Sequence, residues 1–290
     1  MVIMQGGASK GRDSWRKAGL VAAGLVGAWL VQVGAPLVRI SPLPGTIAAT
    51  ALLTVFSFLA LYGLSGLRLA VWHELAGVLV AGGLWYSLGA MHASGRVKLL
   101  LLATVSMFFV LACGLLGRLL ARLVRERNLL LPVLLTAMAA DTFTVLAGPT
   151  RQALEKAPEV VRRLSVAVPQ AGSAAGAKGV AGLAVAASVG LGDYIFAALF
   201  LAAAWRHGLN VRGAAIGATL AALLAMVGVF VIRGLPLLPL LPFIGLGVLI
   251  PNLRHFRLSR QEKVSFALGM AFLAMLLVGL YVATRAYLVP

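Results

Sequence analysis

Windows of about twenty residues with almost no charge recur along the whole chain, and nothing constrains its folding more. Inside a bilayer every backbone N–H and C=O must find its partner within the protein, which leaves helices as the simplest spanning element. Of the 290 residues, 61% are hydrophobic and only 11% charged, a balance that cannot clothe a water-soluble globule in polar groups. The reading is an all-α polytopic membrane protein of about nine transmembrane helices. They fall at roughly 18–38, 46–63, 69–90, 98–117, 129–149, 179–205, 211–232, 235–251 and 264–287. Residues 1–17 form a basic tail, 18–128 hold four spans, 129–251 hold spans five to eight, and 252–290 hold a basic loop and the last span. The longest connection, 150–178, is expected to start as an amphipathic surface helix with Leu154, Val161 and Leu164 on one side. It then passes into a mobile stretch rich in Pro, Gly, Ala and Ser.

Charge refines this picture. Twenty-five Lys and Arg against eight acids give a net charge of +17. In a soluble chain that excess points to nucleic acid. Here the bases sit in short loops between apolar runs, where they anchor helix ends and meet anionic head groups. Nucleic acid is therefore not expected as a partner. The basic segments 118–128 and 150–178 flank a single span, so they cannot lie on one side of the membrane if that span crosses fully. The first apolar run is longer than the core of a signal peptide and is expected to be retained as a span. The lone Cys113 rules out an intrachain disulfide and suits a small core- or lipid-facing position. Small-residue spacings such as Gly213-x-x-x-Gly217 and Gly24-x-x-Gly27 suit close helix packing.

The acids are the most informative residues. Asp13, Glu126, Glu155, Glu159 and Glu262 fall in loops beside bases, whereas Glu74, Asp141 and Asp193 fall at membrane depth. Glu74 lies near a span end and is expected to snorkel or to pair with Arg68. Asp141 and Asp193 lie near the middle of consecutive spans, each the one acid of an otherwise apolar helix. An aspartate at mid-bilayer costs about 2.5–3.5 kcal/mol on insertion scales, so function is the default hypothesis for both. Facing each other on neighbouring helices, the two carboxyls would share one proton and titrate as a pair, the chemistry of an aspartic protease. Position alone equally allows two separate helix–helix hydrogen bonds or a proton relay.

The sequence "GLGD" at 190–193 resembles the GxGD motif of the presenilin and signal peptide peptidase family of intramembrane aspartyl proteases. Three further features are similar to that family. An intramembrane Asp141 precedes the motif by one span. "GPTRQALEKAPE" at 148–159 follows that aspartate as a related segment does in presenilin. "PLLPFIG" at 239–245 resembles the PAL motif that opens a later helix. The likeness covers about residues 135–250 and does not reach the first four spans. The chain departs from the pattern at Ala140, where an aromatic residue is usual, and at Leu240, in place of the motif's alanine. A second "PLLP" at 236–239 leaves the register open by three residues. Four spans rather than five precede Asp141, and one extra span follows the PLLP helix. Prepilin peptidases also carry GxGD, but the apolar "YIF" after Asp193 differs from theirs.

The resemblance implies a presenilin-like bundle with Asp141 and Asp193 as a catalytic pair, cleaving peptide bonds within transmembrane helices of other proteins. Gly190, Leu191 and Gly192 would form the motif backbone, the glycines allowing it to pack closely or unwind. Pro239, Leu240, Leu241 and Pro242 would break a helix start and offer free backbone groups to an unwound substrate. No metal or organic cofactor is expected, since HExxH, Cys/His clusters and GxxxxGK[ST] are all missing from the sequence. The expected partners are substrate helices and a bilayer with anionic head groups, in the cell membrane if the source is prokaryotic. The competing expectation is a transporter or proton-coupled channel that uses the two aspartates as a relay.

Overall fold

The computed structural model describes residues 5–38, 41–146, 156, 158–172, 185–231 and 238–288. Its helices are α1 (Gln5–Gly34), α2 (Pro42–Ser65), α3 (Val71–Gly89), α4 (Gly95–Ala121), α5 (Leu130–Leu146) and a short α6 (Pro158–Arg163). They continue with α7 (Leu191–Arg206), α8 (Val211–Val231), α9 (Leu241–Leu249) and α10 (Arg260–Leu288). Strands β1 (Ser165–Pro169) and β2 (Val185–Gly190) pair antiparallel, with Val166 opposite Val189 and Ala167 opposite Ser188. The register breaks between Val168 and Pro169, where proline has no N–H to give to the ladder.

Among the described residues, six helices are long and apolar enough to cross a membrane, within Asp13–Leu37, Leu43–Ser65, Gly95–Ala121, Arg127–Leu146, Val211–Phe230 and Arg260–Val282. The protein is a multi-pass helical membrane protein. Two expected spans are shorter than the sequence reading: α7 has only 16 residues, and α9 only 9 before the chain tightens into a 3-10 turn at Ile250–His255, while α3, 19 residues long, is not among the six. The expected span 179–205 is the largest correction, because residues 185–190 form β2 and the helix begins only at Leu191. In the connection 150–178, residues 158–163 are helical, in line with the surface helix expected there, but 165–169 form a strand where a mobile stretch was expected. Leu154 lies outside the described residues, and Leu164 is exposed and follows the last helical residue, Arg163. The N-terminal tail is helical from Gln5 onward, not from residue 18.

Small residues set the packing. α1 lies on α2, α3 on α4, α4 on α7 and α8 on α9. A Cβ on Gly24 would stand 2.8 Å from that of Ala60, and one on Gly217 would stand 3.0 Å from the carbonyl carbon of Gly247. These contacts bring α1 against α2 and α8 against α9 at backbone distance, as small-residue faces do in membranes. α7 is buried on all sides, from Tyr194 and Ile195 through the run Ala197–Ala204. A helix buried all round belongs at the centre of the bundle. α10 is the opposite case. It rests on α5, and none of its span is buried, so Leu268, Phe272 and Met275 present an apolar face for lipid.

Two ends can be told apart by their contacts. At the first, Glu74 is 1% exposed and takes Arg118 Nη2 at 2.7 Å and Arg122 Nε at 2.8 Å. Its partners are therefore these two arginines of the α4 terminus, not Arg68. Arg118 also donates to the carbonyls of Leu64 and Leu67, and Arg122 to that of Leu69, so the network caps the end of α2. Lys17 stacks over the Tyr62 ring at 3.6 Å, and His207 meets the Val124 carbonyl at 3.1 Å. At the second end, Gly172 donates to the Ala35 carbonyl at 3.1 Å and Ala171 to Thr46 Oγ1 at 3.1 Å. The hairpin caps this second end. α5 runs unbroken between the two ends for about 26 Å, so segment 118–128 and the hairpin segment lie at opposite poles.

Candidate functional site

Asp193 is at the third position of α7. β2 delivers the chain to Gly190, whose φ of −75° and ψ of 163° are extended, and the helix starts at the next residue. The Gly190 N–H donates to Asp193 Oδ2 at 3.1 Å, the back-bond an acid makes at this position of a capping box. The aspartate thus lies at a helix amino end, not in mid-helix as expected from sequence. Neither Gly190 nor Gly192 takes a positive φ. A Cβ on Gly190 would lie 3.5 Å from Asp193 Oδ2, while one on Gly192 would meet nothing within 4 Å. Gly192 therefore leaves open space beside the acid, rather than serving close packing.

Asp141 sits in the second half of α5. Its Oδ2 accepts the Leu241 N–H at 2.9 Å. Leu241 opens α9, and Pro242 in the same first turn gives up no donor that the turn needs. Helix amino ends carry unpaired N–H groups and a partial positive charge. The start at PLLP points one of them at Asp141. In the alternative PLLP register, Pro236 and Leu237 lie outside the described residues. Pro239 is half-buried, and Leu240 and Leu241 are buried.

α5, α7 and α9 pack on one another, and this brings the two half-buried aspartates within electrostatic reach. Beside Asp193 lies a cavity of about 10 Å3, enough for about one water. Asp193, Tyr194, Thr54, Ser57 and Leu240 line it, with Val189 of β2 on its wall. Tyr194 Oη and Ser57 Oγ are 3.4 Å apart. Sequence reasoning missed these hydroxyls. A signal was available: Thr46, Thr50, Thr54 and Ser57 recur at helical spacing and are all buried on one face of α2. Thr50 and Thr54 each donate back to the carbonyl four residues earlier, at 2.8 Å. The stripe leads from the hairpin end, at Thr46, to the cavity at Ser57.

Among the described residues no group of three or more His, Cys, Asp or Glu is placed to hold a metal ion. Comparison with models of known families, with curated proteins and with solved structures finds no match for this chain.

Proposed function

We propose that this chain is an intramembrane aspartic endopeptidase of the presenilin type, a nine-crossing bundle in which α3, α7 and α9 complete the set of spans. The observation that carries this reading is the convergence of three separate sequence features. Asp141, Asp193 of GLGD and the PLLP helix start come from α5, α7 and α9: Asp193 and Leu240 line one water-sized cavity, and Asp141 accepts the N–H of Leu241, the residue next to Leu240. A chance GxGD has no reason to keep such company.

The chemistry follows from the pair. Two carboxyls in electrostatic contact share a proton, so one acts as base and the other as acid. The ionised carboxylate takes a proton from water as its oxygen attacks the scissile carbonyl carbon, while the protonated carboxyl polarises the carbonyl oxygen. The C–N bond then breaks, and the leaving amine takes up a proton from the pair. A substrate helix must open locally before its carbonyl is reachable. The outer edge of β2, which runs directly into Gly190, offers extended backbone on which such a segment can pair. The open space at Gly192 lies where that segment would pass Asp193. The partners are therefore transmembrane segments of other membrane proteins, in the bilayer that holds the enzyme.

The test is reconstitution into liposomes with single-span model peptides, read by mass spectrometry of the products. Cleavage is expected from the native chain, with losses of about a thousandfold or more in Asp141→Ala and Asp193→Ala. Cleavage that survives both substitutions would rule the proposal out. Proton flux that depends on both aspartates, with no cleavage, would favour the relay.

A further inference from the structure

Far from the aspartates, at the end where Glu74 is buried, lies a second cavity of about 230 Å3. Arg68, Arg118, Arg122, Arg206, Glu74 and Trp205 line it. The carboxylate is already spent. Glu74 takes Arg118 on one oxygen and Arg122 on the other, and the rest of Arg118's guanidinium is committed to the carbonyls of Leu64 and Leu67. Among the described residues, Arg122 Nη1 has no partner once Nε serves Glu74 and Nη2 the Leu69 carbonyl. Arg68 and Arg206 are exposed and meet no acid among the described residues. The cavity thus holds four arginines against one carboxylate, with uncommitted planar donors on three elements.

We propose that this cavity is a binding site for a phosphate group, independent of the protease reading. Arginine presents paired N–H donors that match phosphate oxygens, and a pocket with excess cationic charge is stabilised when an anion enters. The volume suits a head group rather than a large organic cofactor, whose pockets start at about 300 Å3. The flank carries Trp205, 38% exposed, a residue type that settles at membrane–water boundaries. Arg206 ends the helix whose first turn holds Asp193, so the site sits about 20 Å along α7 from Asp193. Two sources share the chemistry, an anionic phospholipid and a soluble phosphate compound, and basic pockets between membrane helices commonly take the former.

The full-length protein in neutral detergent is titrated with phosphatidylglycerol, phosphatidylcholine and inorganic phosphate while thermal unfolding is followed. Phosphatidylglycerol is expected to raise Tm. The Arg68→Gln/Arg206→Gln double variant is expected to need about thirtyfold more lipid for the same shift, since each of the two arginines contributes about 1 kcal/mol. Both side chains are exposed, so the variant retains its fold. An Arg254→Gln/Arg257→Gln double variant, altered at the same end but outside the cavity, is expected to titrate like the native chain. A shift produced by inorganic phosphate, weakened in the first double variant only, supports the site and assigns it to a soluble compound. Identical titrations of native protein and first variant overturn the proposal. So does an equal loss in the control variant, an equal response to phosphatidylcholine, or no response to any ligand.

Discussion

Asp141 and Asp193 each lie against the amino end of a helix, the first at the start of α9 and the second in the first turn of α7. A helix amino end stabilises an anion by up to about 2 kcal/mol in partly buried geometry. Set against an insertion cost of about 2.5–3.5 kcal/mol, that contribution offsets much of the burial. The aspartates were legible in the sequence because a charge in an apolar run stands out. Their helix-end placement was not, since it depends on where α7 begins. Gly192 gives a separable expectation. Gly192→Ala meets no steric obstacle and should leave Tm unchanged or raise it slightly, as alanine favours helix. Cleavage should nonetheless fall, because the methyl group occupies the substrate's path. Undiminished cleavage would show that the open space is not used. At the other end, Glu74→Gln leaves Arg118 buried beside an uncharged partner and should cost about 3–5 kcal/mol in thermal unfolding. A loss below about 1 kcal/mol would mean the network is not what fixes α2 to α4. This pairing could not be read from sequence, where Glu74 and Arg118 stand 44 residues apart and Arg68 is the nearer base.

At the scale of elements, the hairpin is what sequence reading lost. "VAASVG" is as apolar and small as a membrane helix, so composition did not separate strand from span. Its partner "SVAVP" lay in a stretch that looked like linker. Only the pairing, Ser165 with Gly190 through Val168 with Ala187, makes either a strand. PLLP was legible as a helix start, yet what it does was not. The N–H expected to reach a substrate is held by Asp141. Leu241→Pro tests that role, since proline is tolerated at a first helical position and removes this donor together with the buried leucine side chain. Loss of a hydrogen bond to a charged group is worth about 1.5–3 kcal/mol, so kcat should fall roughly tenfold to a hundredfold. Leu241→Ala, which keeps the N–H, should retain most of kcat while losing stability from the buried side chain. Equal kcat losses in the two variants would show that the side chain matters and the donor does not.

Across the whole molecule, the membrane class was legible from composition, because no soluble surface can be built from this chain. The bundle's arrangement was not, because it rests on close approaches between residues far apart in sequence. Gly217 against Gly247 joins α8 to α9 and so sets where α9 starts relative to Asp141. Gly247→Leu should therefore destabilise the protein by about 1–3 kcal/mol or more and reduce cleavage together with Tm. Preserved Tm would mean the helices do not rely on that contact. The central claim is that Asp141 and Asp193 act as one proton-sharing unit. Groups that act as a unit are non-additive when removed. The direct measurement is a double-mutant cycle of kcat for peptide cleavage in liposomes, with Asp141→Ala, Asp193→Ala and the double variant. The expected result is that all three lose activity to the same extent. Losses that multiply, with the double variant far below either single one, would contradict a shared dyad.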